Sequence, residues 1–114
     1  VKIFFMDEVH TRGFQAVMTD ALTIVNNGTI GFGLSLDIDA LDPIDAPGTG
    51  CFEPNGIRSK DLLRVLESIH GNPRMLGLEI AEFNPLLDKN FKTEKVIARI
   101  LNLFLAKTTK QESV

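Results

Sequence analysis

The stretch Ser35–Pro43 constrains the fold most, because an apolar run here acquires three aspartates and then stops at a proline. In a β-strand the side chains alternate between faces, so Asp37 and Asp39 would point the same way with Cβ atoms about 7 Å apart. At an effective dielectric constant of about 20, these carboxylates would repel by about 2 kcal/mol. A divalent cation would reverse that sign, so metal binding is one hypothesis. A loop-capping cluster that accepts backbone N–H groups is the alternative.

Apolar runs and helical spacings alternate along the chain. Three apolar runs predict buried strands, and three segments with apolar residues at helical spacing predict helices. The predicted strands are Val1–Met6, Thr29–Ile38 and Met75–Ala81. The predicted helices run from about Thr11 to Val25, from Ser59 to Ile69 and from Thr93 to Leu105, with Ser59 and Thr93 as N-caps.

The order of strand, helix, strand, helix, strand, helix predicts an α/β fold with a parallel sheet and helices on both faces. Asp37 and Asp39 lie at the end of the second strand, and Glu82 follows the third. Ligands bind at the carboxyl ends of the strands in open α/β sheets, so we expect these acids at one rim. Three strands make a thin sheet, and we expect residues 1–114 to be part of one wider domain.

The segment Leu41–Gly56 is predicted to be a long irregular loop, since it holds three of the five prolines and three of the nine glycines. A structured loop of this length inside a compact domain is usually functional. It therefore belongs with the candidate site at the carboxyl end of the second strand.

The charge and cysteine content exclude several classes of function. A net charge of −3 without a basic run argues against nucleic acid or an anionic membrane as the main partner. No apolar stretch is long enough to span a bilayer. Cys51 is the only cysteine and cannot form an internal disulfide, so we expect a reducing compartment and a cytoplasmic location.

Two motifs in this chain resemble a known family. Ser35–Pro43, followed by the Pro-Gly-Thr-Gly loop at 47–50, resembles the signature of the ureohydrolases, which include arginase and agmatinase. The segment Gly77–Pro85 resembles their second carboxyl-side motif, and the resemblance covers essentially the whole chain. It implies a three-layer α/β/α fold with a parallel sheet. The family's two upstream histidine-containing ligand segments do not occur here, so residues 1–114 are expected to be the C-terminal part of one arginase-like domain.

The resemblance implies a hydrolase with two Mn²⁺ ions, which suit carboxylate and imidazole ligands. The ions hold a shared hydroxide and direct it to a guanidinium carbon, which releases urea. By position, Asp37 resembles the carboxylate that bridges both ions and Asp39 a ligand to one of them. Glu82 resembles the acid that pairs with the substrate guanidinium.

Three loop residues are implied to support this site. Asp42 and Thr49 are expected to organise the loop or to lie behind the metal ligands. Cys51 stands where many members of the family have a hydroxyl residue, so substrate preference could differ there.

The resemblance leaves the substrate open. Arginine, cleaved to ornithine and urea, is the first expectation, and agmatine or another guanidino or formimino compound is the alternative. Family members commonly form trimers or hexamers, so a homo-oligomer is implied. A second class of function is a non-catalytic α/β module that serves only in assembly. The 114 residues alone are expected to bind Mn²⁺ weakly and to show no turnover.

Overall fold

The computed structural model describes residues 1–105 and contains four α-helices and two strands in this part of the chain. In chain order these are α1 (Met6–Arg12), α2 (Phe14–Val25), β1 (Phe32–Asp37), α3 (Ser59–Ile69), β2 (Met75–Ala81) and α4 (Lys92–Leu105). Two short 3₁₀ turns, Ile38–Ala40 and Pro85–Leu87, follow the two strands.

The two strands form a parallel sheet, with α3 in the connection between them. The register pairs Ser35 with Glu79 and Asp37 with Ala81, so both strands end at the same rim. The predicted α/β class with a parallel sheet is confirmed. The described residues hold two of the three predicted strands, and Met75–Ala81 has the predicted bounds.

The prediction of a first strand at Val1–Met6 is wrong. Residues 1–5 form no regular element, and α1 begins at Met6. Val1, Ile3 and Phe5 are exposed, so these β-forming side chains have no sheet to pack on within residues 1–105. The next residues favour a helix, because acids occupy its first turn and Glu8 pairs with Arg12 one turn later at 2.7 Å.

The helices pack in a row, in which α2 contacts α3 and α3 contacts α4. Their apolar sides cover one face of the sheet and form the core, made of Leu36, Ile38, Leu41, Ala46, Leu62, Leu66, Ile69, Val96 and Ile100. None of the helices within residues 1–105 is long and apolar enough to cross a membrane.

The opposite face of the sheet is open in the part of the chain that the structure describes. Gly33, Ser35 and Asp37 of β1 are exposed there, and Gly77 and Glu79 are their exposed neighbours on β2. Of the two helical layers expected around the sheet, residues 1–105 supply one. The open face is polar and small, which explains why β1 alternates between buried and exposed positions.

Both predicted N-caps are wrong, because carboxylates from the preceding loops cap these helices. Ser59 is already helical, and its N–H donates to Asp45 Oδ2 at 2.8 Å. At the start of α4, Asp88 accepts the N–H groups of Thr93 and Glu94, both at 3.0 Å. A carboxylate can accept two orphan donors at a helix N-terminus and also favours the positive end of the helix dipole.

Candidate functional site

The two aspartates of the motif lie on different elements. Asp37 is the last residue of β1, whereas Asp39 belongs to the 3₁₀ turn Ile38–Ala40. The Asp39 N–H donates to Asp37 Oδ1 at 2.8 Å, which caps this turn. The expectation that both aspartates share one face of one strand is therefore wrong, since the strand ends between them. Both residues still lie at the carboxyl end of the sheet, joined by this hydrogen bond.

Asp39 has an unsatisfied buried oxygen. Its Oδ1 is shielded from solvent and has no hydrogen-bond partner within residues 1–105. Burial of a carboxylate oxygen without a donor is unfavourable, and such atoms in native proteins call for an explanation. A cation ligand would satisfy this oxygen, and carboxylates are suitable donors for a hard ion such as Mn²⁺. The donor set therefore fits a metal at this point.

The donor set is also incomplete. Among residues 1–105, no group of three or more histidine, cysteine or acidic side chains is placed to hold a metal ion. A divalent ion of this kind takes about six oxygen or nitrogen ligands. Two carboxylates can therefore form one side of a metal site, and the remaining ligands must come from outside the described residues.

Glu82 lies at the same rim. It follows directly after Ala81, which pairs with Asp37 across the sheet. Its side chain is exposed, and its backbone adopts φ 69°, a left-handed conformation that is uncommon outside glycine. The structure thus brings Asp37 and Glu82 to the ends of neighbouring strands.

The loop after the 3₁₀ turn places the three remaining predicted residues in different settings. Asp42 is buried and its Oδ1 accepts the Ile44 N–H at 2.9 Å, so it shapes the loop. Thr49 is 2% exposed, and within the described residues its hydroxyl has no partner. Cys51 is exposed and carries a free thiol.

Thr93 and Gly48 form a contact that sequence reasoning misses. The buried Gly48 N–H donates to Thr93 Oγ1 at 2.7 Å, and Gly48 in turn accepts the Asn84 N–H at 2.8 Å. The bonds join the Pro-Gly-Thr-Gly loop to α4 and to the segment after Glu82. Thr93 is 45 positions from Gly48, so no local signal could reveal the pair.

Comparison with known proteins identifies relatives along nearly the whole chain. A sequence model of the Arginase family matches residues 1–106. The arginase of Brevibacillus brevis is 35% identical over 102 residues, which make up 90% of this chain and 34% of that protein. The chain spans about a third of the length of the curated relatives it matches.

Solved structures give the same result. The native structure of arginase from Bacillus caldovelox has a TM-score of 0.85 and 31% identity, over 95% of this chain and 36% of the other. Formimidoylglutamase from Bacillus subtilis subsp. subtilis strain 168 has a TM-score of 0.85 and 31% identity, over 92% of this chain and 33% of the other.

Proposed function

The chain belongs to the arginase family, and from that premise we propose that it is the C-terminal part of a manganese-dependent ureohydrolase. The observation that carries the proposal is the buried Oδ1 of Asp39, which has no hydrogen-bond partner within residues 1–105, in the turn that Asp37 caps at the carboxyl end of β1. Family membership supports hydrolysis of a carbon–nitrogen bond, and this oxygen supports a metal ion at the same rim.

Asp37 and Asp39 would hold Mn²⁺, with the other ligands supplied from outside these residues. When bound, two such ions supply Lewis-acid activation of water. Asp37 is exposed, and the Asp39 N–H engages only its Oδ1, so its other oxygen would be open to the ions. Asp39 offers its unpartnered Oδ1 to one of them.

Glu82 would bind the guanidinium group of the substrate. A guanidinium presents parallel N–H donors that match the two oxygens of a carboxylate. Glu82 is exposed at the rim next to Asp37, so its oxygens are open to a ligand that approaches the metal ligands. Arginine is the first substrate we propose.

The loop residues would support this arrangement. Asp42 holds the loop through the Ile44 N–H, and Thr49 fills a buried position beside Gly48. Cys51 would place a thiol where many family members have a hydroxyl group. Its free, exposed thiol also supports our proposal of a reducing compartment such as the cytoplasm.

A formimino compound is the second candidate substrate. The formimidoylglutamase of Bacillus subtilis strain 168 is 32% identical to this chain over 101 residues, close to the 35% of the Brevibacillus arginase. Both substrate classes contain a planar carbon bonded to nitrogen, the group that a carbon–nitrogen hydrolase cleaves. The assembly of the complete protein is proposed to be a homo-oligomer, a trimer or hexamer, as the resemblance to the family implies.

The test is to express the complete reading frame that contains these residues and to assay it with and without Mn²⁺. The assays measure urea released from arginine and agmatine, and formamide released from a formimino substrate. We expect Asp37→Ala and Asp39→Ala to abolish both Mn²⁺ binding and turnover. Glu82→Gln should keep Mn²⁺ binding and lose turnover.

Glu67→Gln is the matched control, because Glu67 is an exposed acid on α3 far in sequence from the rim. This variant should bind Mn²⁺ and turn over as wild type does. Absence of any release in the presence of Mn²⁺ would reject the enzymatic proposal and favour the non-catalytic assembly module.

A further inference from the structure

The buried hydroxyl of Thr93 connects three segments that are distant in sequence. Thr93 is fully buried in the first turn of α4, and Oγ1 accepts the Gly48 N–H at 2.7 Å. The Gly48 carbonyl accepts the Asn84 N–H at 2.8 Å. The Thr93 N–H itself donates to Asp88 Oδ1, in the segment that also contains Asn84. These hydrogen bonds link the Pro-Gly-Thr-Gly loop, α4 and the segment after β2.

Gly48 is tightly enclosed by the segments that these bonds link. A Cβ atom built on it would lie 2.9 Å from Thr93 Oγ1 and 3.1 Å from Phe83 Cε1. These distances are shorter than ordinary van der Waals contacts, so the site accepts only a glycine without movement of its neighbours. The backbone of Gly48 is thus held between Thr93 and the residue that follows Glu82.

The chain is anchored both before and after Glu82. Ala81, before it, is paired with Asp37 in the sheet, and Asn84, after it, is bonded to Gly48. Glu82 itself has φ 69°, and a non-glycine residue keeps such a conformation only where its surroundings enforce it. The Asn84 anchor depends on Gly48, and Gly48 depends on the hydroxyl of Thr93.

We infer that Thr93 is a positioning residue that holds Glu82 and the Pro-Gly-Thr-Gly loop in place relative to the strand-end aspartates. The role of Glu82 as the substrate ligand rests on the proposed function, whereas the positioning of its backbone does not. Loss of the hydroxyl leaves the buried Gly48 N–H without an acceptor, which frees the loop and with it the Asn84 anchor.

The first test is amide hydrogen exchange of the complete protein, resolved to single residues by mass spectrometry with fragmentation of the peptides. Thr93→Val keeps the branched side chain and replaces the hydroxyl group with a methyl group. We expect the Gly48 and Asn84 amides to exchange about tenfold faster or more than in wild type. The Leu36 amide in β1 should exchange as in wild type, and Thr93→Ser should restore wild-type exchange at all three amides.

Thr19→Val is the matched control, because Thr19 is an exposed helical threonine whose hydroxyl donates within α2 to Gln15 O at 2.9 Å. It should leave the Gly48 and Asn84 amides unchanged. Wild-type exchange at these two amides in Thr93→Val would overturn the inference. Equal acceleration at Leu36 would also overturn it, because the hydroxyl would then contribute only to global stability.

The second test is kinetic and uses the complete protein from the assays above. Thr93→Val should raise KM or lower kcat by about tenfold, the effect of misplacing a group that orients the substrate, with Mn²⁺ affinity unchanged. Thr93→Ser should restore both constants. Wild-type kinetics in Thr93→Val would overturn the inference. Absence of turnover in the wild type would instead reject the proposed function and leave the exchange result to decide the positioning.

Discussion

Asp39 is the residue at which folding and binding conflict most directly. Its buried Oδ1 has no donor among the described residues, and an unpaired carboxylate oxygen in that position lowers stability. Proteins retain such atoms where a site needs them, at the expense of the free energy of unfolding.

Asp39→Asn tests this conflict. The amide removes the negative charge next to Asp37 and keeps the size of the side chain. In EDTA we expect the free energy of unfolding, measured by urea titration, to lie between the wild-type value and about 1 kcal/mol above it. Mn²⁺ should stabilise the variant less than it stabilises the wild type. A clear loss of stability in EDTA would mean that the charged oxygen has a donor.

Gly48 gives a second test at the scale of one residue. Gly48→Ala would place a methyl group 2.9 Å from Oγ1 of the fully buried Thr93 and 3.1 Å from Phe83 Cε1. We expect the free energy of unfolding to fall by about 1–3 kcal/mol, the usual range for an overpacked site. Gly50→Ala is the matched control, since a Cβ atom at Gly50 meets nothing within 4 Å. Equal losses in both variants would contradict this explanation.

The positions of some of these residues can be predicted from the sequence, and others cannot. The acids at the rim, Asp37, Asp39 and Glu82, can be located from sequence because parallel strands gather their carboxyl ends. The end of β1 at Asp37 cannot, because the side chain of Asp37 caps the following turn and ends the strand one residue before the predicted end at Ile38. The contact between Gly48 and Thr93 cannot either, since it depends on the folded positions of two segments.

At the scale of elements, two loop carboxylates define where helices begin. Asp45 bonds the first N–H of α3, and Asp88 bonds two N–H groups of α4. Burial raises the pKa of Asp88, but the N–H groups of Thr93, Glu94 and Lys89 outweigh this, so that its pKa lies below the usual range.

Asp45 predicts a pH dependence of stability. The hydrogen-bonded Arg58 guanidinium holds the pKa of Asp45 below its usual range, against the effect of burial and with help from the Ser59 N–H. A depressed pKa contributes stability that is present above the unfolded pKa of about 3.9 and is lost as the pH falls through the folded value.

We therefore expect Asp45→Asn to be less stable than wild type at pH 6. The difference in the free energy of unfolding should shrink as the pH falls below about 4, because the unfolded wild type then takes up a proton at Asp45, whereas the folded state, with its lower pKa, does so only at lower pH. Urea titrations from pH 6 to pH 3 measure it. A difference that stays constant over this range would show that protonation of Asp45 is not coupled to folding.

The elements also differ in how well the sequence predicts them. The bounds of β2 and the end of α3 agree with the sequence pattern, because these segments pack on the core formed within residues 1–105. The segment Val1–Met6 does not, because its apolar side chains have no neighbouring strand there. Local preference alone cannot maintain a strand without a partner.

At the scale of the whole molecule, the chain is less compact than a typical domain of its length. Its radius of gyration is 15.0 Å, larger than the roughly 13 Å of a compact domain of this length. Within residues 1–105 one sheet face is uncovered, and apolar side chains such as Ile30, Leu76 and Phe5 are exposed. Exposed strand edges and apolar patches favour association.

We expect the isolated 114-residue chain to self-associate, to bind Mn²⁺ weakly and to show no turnover. Sedimentation velocity over a range of concentrations should show an average mass that rises with concentration. Leu76→Lys should reduce this association, since Leu76 lies in β2 and its apolar side chain is 68% exposed. Lys60→Leu is the control in the opposite direction, because it replaces an exposed lysine of α3 with leucine, and it should not reduce the association. A monomer at all concentrations would contradict the prediction.

The parallel pairing of β1 with β2 has a consequence for the time course of folding. Ser35 and Glu79 are partners although they are 44 positions apart, so a long loop must close before the sheet exists. Loops of this length close more slowly than hairpin loops, and proteins rich in contacts between distant residues fold slowly. The helices can order first, but Asp37 and Glu82 become neighbours only when the strands find their register. The rate of this step thus determines how soon after synthesis the rim is formed.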